Sequence, residues 1–76
     1  MKILIESTTQ ITHVNDVPAR IWEGTTESGI KVICLVTRIA ISKDESAEDQ
    51  EQFKKELQEC KPPSTEVAVY PLRMIL

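Results

Sequence analysis

The segment that most constrains this chain is "IKVICLVTRIAI", residues 30 to 41, in which nine of twelve side chains are apolar. Successive side chains of a strand point to opposite faces, so a strand of this length would carry apolar groups on both. A chain of 76 residues forms one domain, residues 1–76, and buries only about 60% of the surface that its unfolded chain exposes. The central question is therefore what covers both faces of this segment.

Two turn signals divide the residues before this segment into antiparallel strands. Asn15 and Asp16 tolerate the positive φ angles of a tight hairpin turn, and Gly29 suits the left-handed position that closes a second hairpin. The predicted strands are a short leading strand over residues 2–6, followed by residues 9–14, 17–23 and 30–41.

The chemistry then changes to that of a helix. Ser46 with Asp49 three residues later predicts a capped helix start, and Pro62 with Pro63 predicts its end. The apolar stripe of this helix is narrow and consists of Phe53, Leu57 and Cys60. Residues 66–76 then predict a last strand. The predicted fold is α+β: an antiparallel-dominated curved sheet of four to five strands (β-β-β-β-α-β) with one helix packed on one face.

The second turn can close with three or four residues. If it has three, residues 27–29, Arg20 opposes Val36, Trp22 opposes Cys34 and Val17 opposes Ile39. One face of the sheet then forms a core for the helix to cover, and it carries Val17, Ala19, Ile21, Ile33, Leu35, Ile39 and Ile41. The opposite face carries Arg20, Trp22, Val32, Cys34, Val36 and Arg38.

This opposite face mixes apolar side chains with Trp and Arg, two residue types enriched at interface hot spots, and it has no predicted cover. Two interpretations stay open. The face binds a partner through Arg20, Trp22, Val32, Val36 and Arg38, or a β-bulge near residues 37–38 brings the apolar residues of both halves of the strand to one side.

Composition and charge disfavour several classes of function. A net charge of -3 disfavours nucleic-acid binding, which leaves binding through Arg20 and Arg38 as a weaker alternative. The chain opens without a signal-peptide pattern and has no apolar run long enough for a membrane span, so a cytoplasmic location is expected. Two separated cysteines and one histidine predict no metal site and no other cofactor, and the thiols are expected to be reduced and buried.

The single histidine offers the one alternative that involves chemistry. His13 lies beside the first predicted turn and has no nucleophile or acid at a characteristic spacing. The alternative function is therefore a small enzyme or ligand-binding protein whose site is completed at a subunit interface near His13.

The segments "VPARIWEGTTESGIKV", "ELQECKPPS" and "LRMIL" together resemble small uncharacterised proteins of bacteria and phages. This resemblance implies a bacterial or phage context, in which small acidic proteins often bind something larger, and it implies no catalytic residue or cofactor. The leading hypothesis is a non-enzymatic protein-binding module or homodimeric accessory protein, such as a phage-encoded modulator of a host protein.

Overall fold

The computed structural model describes residues 1–65, which form a three-stranded antiparallel sheet and one helix. The strands are β1 (Ile3–Val14), β2 (Val17–Thr26) and β3 (Lys31–Val36), in the order β1-β2-β3, and the helix is α1 (Ala47–Leu57). The general α+β class is confirmed. The predicted number of four to five strands is not, because residues 2–6 and 9–14 belong to one strand, β1. The last predicted strand, residues 66–76, lies outside the described residues.

Both hairpin turns form where the sequence predicts them. Asn15 and Asp16 have φ angles of 50° and 66°, and Gly29 has a φ of 87°, so all three occupy the left-handed region. The amide of Thr26 donates to the Ile30 carbonyl at 2.9 Å, which closes the three-residue second turn. The predicted register between β2 and β3 is confirmed, with Trp22 opposite Cys34.

β3 is shorter than predicted and ends at Val36. In this register the amides of Trp22 and Arg20 point toward β3, and the next position of β2 that would donate to β3 is Pro18. Proline has no N–H, so the ladder cannot continue past Val36 by this bond. The pairing of Val17 with Ile39 is therefore wrong, and residues 37–41 follow the strand without belonging to it.

The sheet does contain a bulge, but it lies in β1. Ser7 pairs with Trp22 and Ile11 pairs with Arg20, so three residues of β1 face the single residue Ile21. Thr8 within this bulge is 0% exposed. Its hydroxyl donates to the Ile21 carbonyl at 2.7 Å and accepts from the Gln10 amide at 3.3 Å. One side-chain hydroxyl thus replaces ladder bonds that the extra residues interrupt.

The segment after the helix is held at this bulge. The amide of Lys61 donates to the Ser7 carbonyl at 3.1 Å, and the amide of Thr9 donates to the Lys61 carbonyl at 2.9 Å. The Lys61 ammonium lies 2.7 Å from a carboxylate oxygen of Glu23, whose other oxygen accepts from the Ser64 amide at 3.3 Å. The hydrogen bond from Lys61 lowers the pKa of Glu23, because it stabilises the charged carboxylate.

The helix start is confirmed, since the Ser46 hydroxyl accepts from the Asp49 amide at 3.1 Å. Its predicted packing across the core face is not observed, because none of the helical residues is buried. The buried apolar residues of the described part are Ala19 and Ile21, 1% and 4% exposed. The end of α1 instead lies beside the opposite face, where Leu57 lines a groove with Trp22. The hydrogen bonds of residues 59–61 to β1 hold it there.

Candidate interaction face

The Trp22 face is the surface of the sheet on which Arg20 and Trp22 of β2 lie beside Val32, Cys34 and Val36 of β3. Of the five residues predicted to bind a partner, the structure brings four together. Arg20, Trp22, Val36 and Arg38 line one groove of about 190 Å³, with Leu57 of the helix on its border. The fifth, Val32, shares this face but lines a separate cleft at the other end of β3.

The Trp22 side chain is half-buried and borders two grooves. The second groove has a volume of about 430 Å³ and is lined by Glu6, Ser7, Trp22, Glu56, Glu59, Cys60 and Lys61. The indole is therefore a shared wall between the strand side and the helix side of the face.

The two sides of Trp22 carry opposite charges. The groove toward β3 is lined by Arg20 and Arg38. The Arg20 guanidinium turns back to the Thr8 carbonyl of β1, so Arg38 is the exposed cation on this side. The groove toward the end of α1 is lined by Glu6, Glu56 and Glu59, together with Lys61, whose ammonium is paired with Glu23. A surface with such separated charges can recognise a partner that carries the opposite arrangement.

Sequence reasoning missed Glu56 and Glu59. Both residues are exposed and lie near the end of α1, which the sequence places across the core face and the structure places beside the Trp22 face. The hydroxyl of Ser7 donates to the Glu59 carbonyl at 2.8 Å and fixes this position. No local sequence signal indicates a bond between residues so far apart in the chain.

The two arginines differ in how firmly the fold holds them. Arg20 is half-buried, and its Nη1 donates to the Thr8 carbonyl in the bulge at 2.8 Å. This bond differs from the cross-strand ion pair that a strand arginine could form with Glu23, whose carboxylate is taken by Lys61. Arg38 is exposed just beyond the end of β3. Arg20 therefore stabilises the sheet and also lines the Trp22 face, whereas Arg38 contributes only to the exposed surface of that face.

A third cavity, of about 460 Å³, lies at the other end of the sheet around the Glu23–Lys61 ion pair. Its described lining also includes Leu4, Lys31 and Ile33. His13 lines none of these three cavities; it is exposed on β1 opposite Pro18. A site near His13 stays a prediction.

Within residues 1–65, no group of three or more His, Cys, Asp or Glu side chains is arranged to hold a metal ion. Cys34 and Cys60 are both free thiols and are half-buried rather than buried as expected. No helix in the described part is both long and apolar enough to cross a membrane. Comparisons with protein-family models, curated proteins and solved structures find no match for this chain.

Proposed function

We propose that this protein is a non-enzymatic binding module that docks on a protein partner, either another copy of itself or a larger protein, through the Trp22 face. The observation that carries the proposal is the position of Trp22, half-buried between two grooves with arginines on one side. Tryptophan and arginine dominate binding energy at protein interfaces when a partner completes their burial.

The apolar surface around Trp22 extends along the whole face, which favours a macromolecular partner over a small ligand. Ile3 and Ile11 of β1 share the face by register and are 40% and 48% exposed. Val36 and Cys34 are half-buried on the same face in β3, on the other side of β2. Exposed apolar surface with a charged border is typical of protein interaction sites.

The charges around Trp22 also favour a protein over a nucleic acid. Arg20 and Arg38 could contact phosphates, but Glu56 and Glu59 lie on the other side of the same indole and would repel them. In the bacterial or phage context that the resemblance implies, the module would act in the cytoplasm by modulating the protein on which it docks.

The proposal is tested with Trp22→Ala and a matched control, Leu4→Ala. Leu4 is 80% exposed and lies on the opposite face of the sheet, so its truncation removes apolar surface without touching the Trp22 face. A tagged copy of the chain is first added to an extract of the source cells, so that association with a second copy is also detected. Immobilised wild type and immobilised Leu4→Ala should then retain the same protein from this extract. Trp22→Ala should lose that protein while keeping its circular dichroism spectrum. Equal retention by Trp22→Ala would contradict the proposal.

A further inference from the structure

We infer that the partner on the Trp22 face is a second copy of this chain, related to the first by a two-fold axis that passes close to Trp22. This inference rests on the proposed function and adds the identity of the partner and the pairing of its charges.

The charge pattern of the Trp22 face is self-complementary under such an axis. Arg38 is the exposed cation on one side of the indole, because the Arg20 guanidinium is bound to the Thr8 carbonyl. Glu56 and Glu59 lie on the other side. Two copies face each other through this surface when the two-fold axis lies in the plane of the face. An axis of this kind that runs between the two grooves exchanges their sides, so the basic groove of each copy meets the acidic groove of the other. Two-fold interfaces use the same patch on both copies and therefore require this kind of complementarity.

The apolar residues occupy the part of the face that such a dimer would desolvate. Trp22 borders both grooves, and Val36 and Leu57 line the basic one. Leu57 is 42% exposed, although leucine is costly to leave in water. Placed against the same residues of a second copy, these side chains would form the apolar centre of the interface, and the charged residues would form its border.

An unrelated protein would need its own basic and acidic groups at the same separation to contact both grooves. A second copy of this chain already carries them at that separation. The association should weaken as salt is added, because Arg38, Glu56 and Glu59 are exposed. Dissolved ions screen exposed charges over a Debye length of about 8 Å at physiological ionic strength, and this length shortens as salt is added.

A charge-exchange experiment tests the inference on the purified chain. Arg38→Glu replaces the exposed cation of the basic groove with an anion, and the double variant Glu56→Arg with Glu59→Arg replaces the two anions of the acidic groove with cations. Each variant alone would place like charges against each other twice per dimer. In sedimentation velocity, the dissociation constant of each variant's dimer should be higher than that of wild type by a factor of roughly ten or more. An equimolar mixture of the two should form a heterodimer with an affinity within about threefold of wild type, since both charge contacts are then restored.

Lys43→Glu serves as the control, because Lys43 is exposed in the turn before α1 and lines neither groove. It should dimerise as wild type does. If the mixture stays monomeric while wild type dimerises, the proposed charge pairing is wrong. If pure wild type is monomeric at millimolar concentration but Trp22→Ala still abolishes retention of another protein, this inference fails and the proposed function stands.

Discussion

The hydroxyl of Thr8 is the single atom on which the bulge of β1 depends most, so replacing Thr8 with valine is the sharpest test of the fold. Valine has nearly the same shape but cannot donate or accept a hydrogen bond. The substitution would leave the Ile21 carbonyl and the Gln10 amide without the partner that each now has at 2.7 and 3.3 Å. Because Thr8 is 0% exposed, water cannot replace the hydroxyl at its own position.

The expected loss follows from these two bonds. A buried polar group without a partner costs roughly 1–3 kcal/mol, and the Gln10 amide is only partly buried, so Thr8→Val should lower the free energy of unfolding by about 2–4 kcal/mol. At roughly 0.05–0.15 kcal/mol per residue, a chain of 76 residues has about 4–11 kcal/mol in total. The variant would therefore lose a large part of its stability.

Urea titration followed by tryptophan fluorescence measures this loss, since Trp22 is the only tryptophan and pairs with Ser7 next to the bulge. Thr8→Ser is the matched control because it keeps the hydroxyl and removes only a methyl group, for about 1 kcal/mol. If Thr8→Val were as stable as Thr8→Ser, the hydroxyl would not be what holds the bulge.

Three further predictions concern stability. Gly24→Ala should lower the free energy of unfolding by about 1–3 kcal/mol in urea, because the added Cβ would collide with the backbone of Leu4; an unchanged midpoint would contradict this packing. The ion pair with Lys61 holds the pKa of Glu23 below its ordinary value, so stability should be retained above that value and decline as the pH falls below it. Glu23→Gln should weaken this acid dependence in thermal melts at pH 3 to 7, and an unaltered dependence would count against the pair. Asp16→Gly should raise the free energy of unfolding by about 0.5–1 kcal/mol, since φ is 66° there; a loss measured in urea would contradict the turn conformation.

The sequence predicts well those features that neighbouring residues determine. The positive φ angles at Asn15, Asp16 and Gly29 follow from residue types that tolerate them. Once the second turn has three residues, the register that places Trp22 opposite Cys34 follows from its length. The Ser46 cap is likewise a local pattern.

The features that sequence reasoning missed depend on residues far apart in the chain. The bulge in β1 is completed by Lys61, and Arg20 donates to it from β2. The early end of β3 follows from Pro18, whose effect on β3 becomes visible only when the register is known. The position of α1 beside Trp22 follows from the bonds of residues 59–61 to Ser7 and Thr9.

These missed features also determine how much of the candidate site can be predicted from the sequence. Arg20, Trp22 and Val36 are grouped by a register that the sequence predicts, whereas Glu56 and Glu59 join them only through the bulge. The apolar excess of residues 30–41 is divided between β3 and the residues after it, with Val36 half-buried beside Leu57. β3 pairs with β2 in a regular register and ends at Val36, so the predicted bulge near residues 37–38 is not part of the strand. The partner-binding interpretation of this face stays a prediction.

The most direct test of the Trp22 face combines solution mass with the emission of its single tryptophan over a range of protein concentrations. If two copies associate through this face, the mass should double, and the emission of Trp22 should shift to shorter wavelength over the same concentrations as water leaves the indole. A doubled mass with unchanged emission would place the interface elsewhere. A constant monomer mass up to millimolar concentration would contradict association with a second copy.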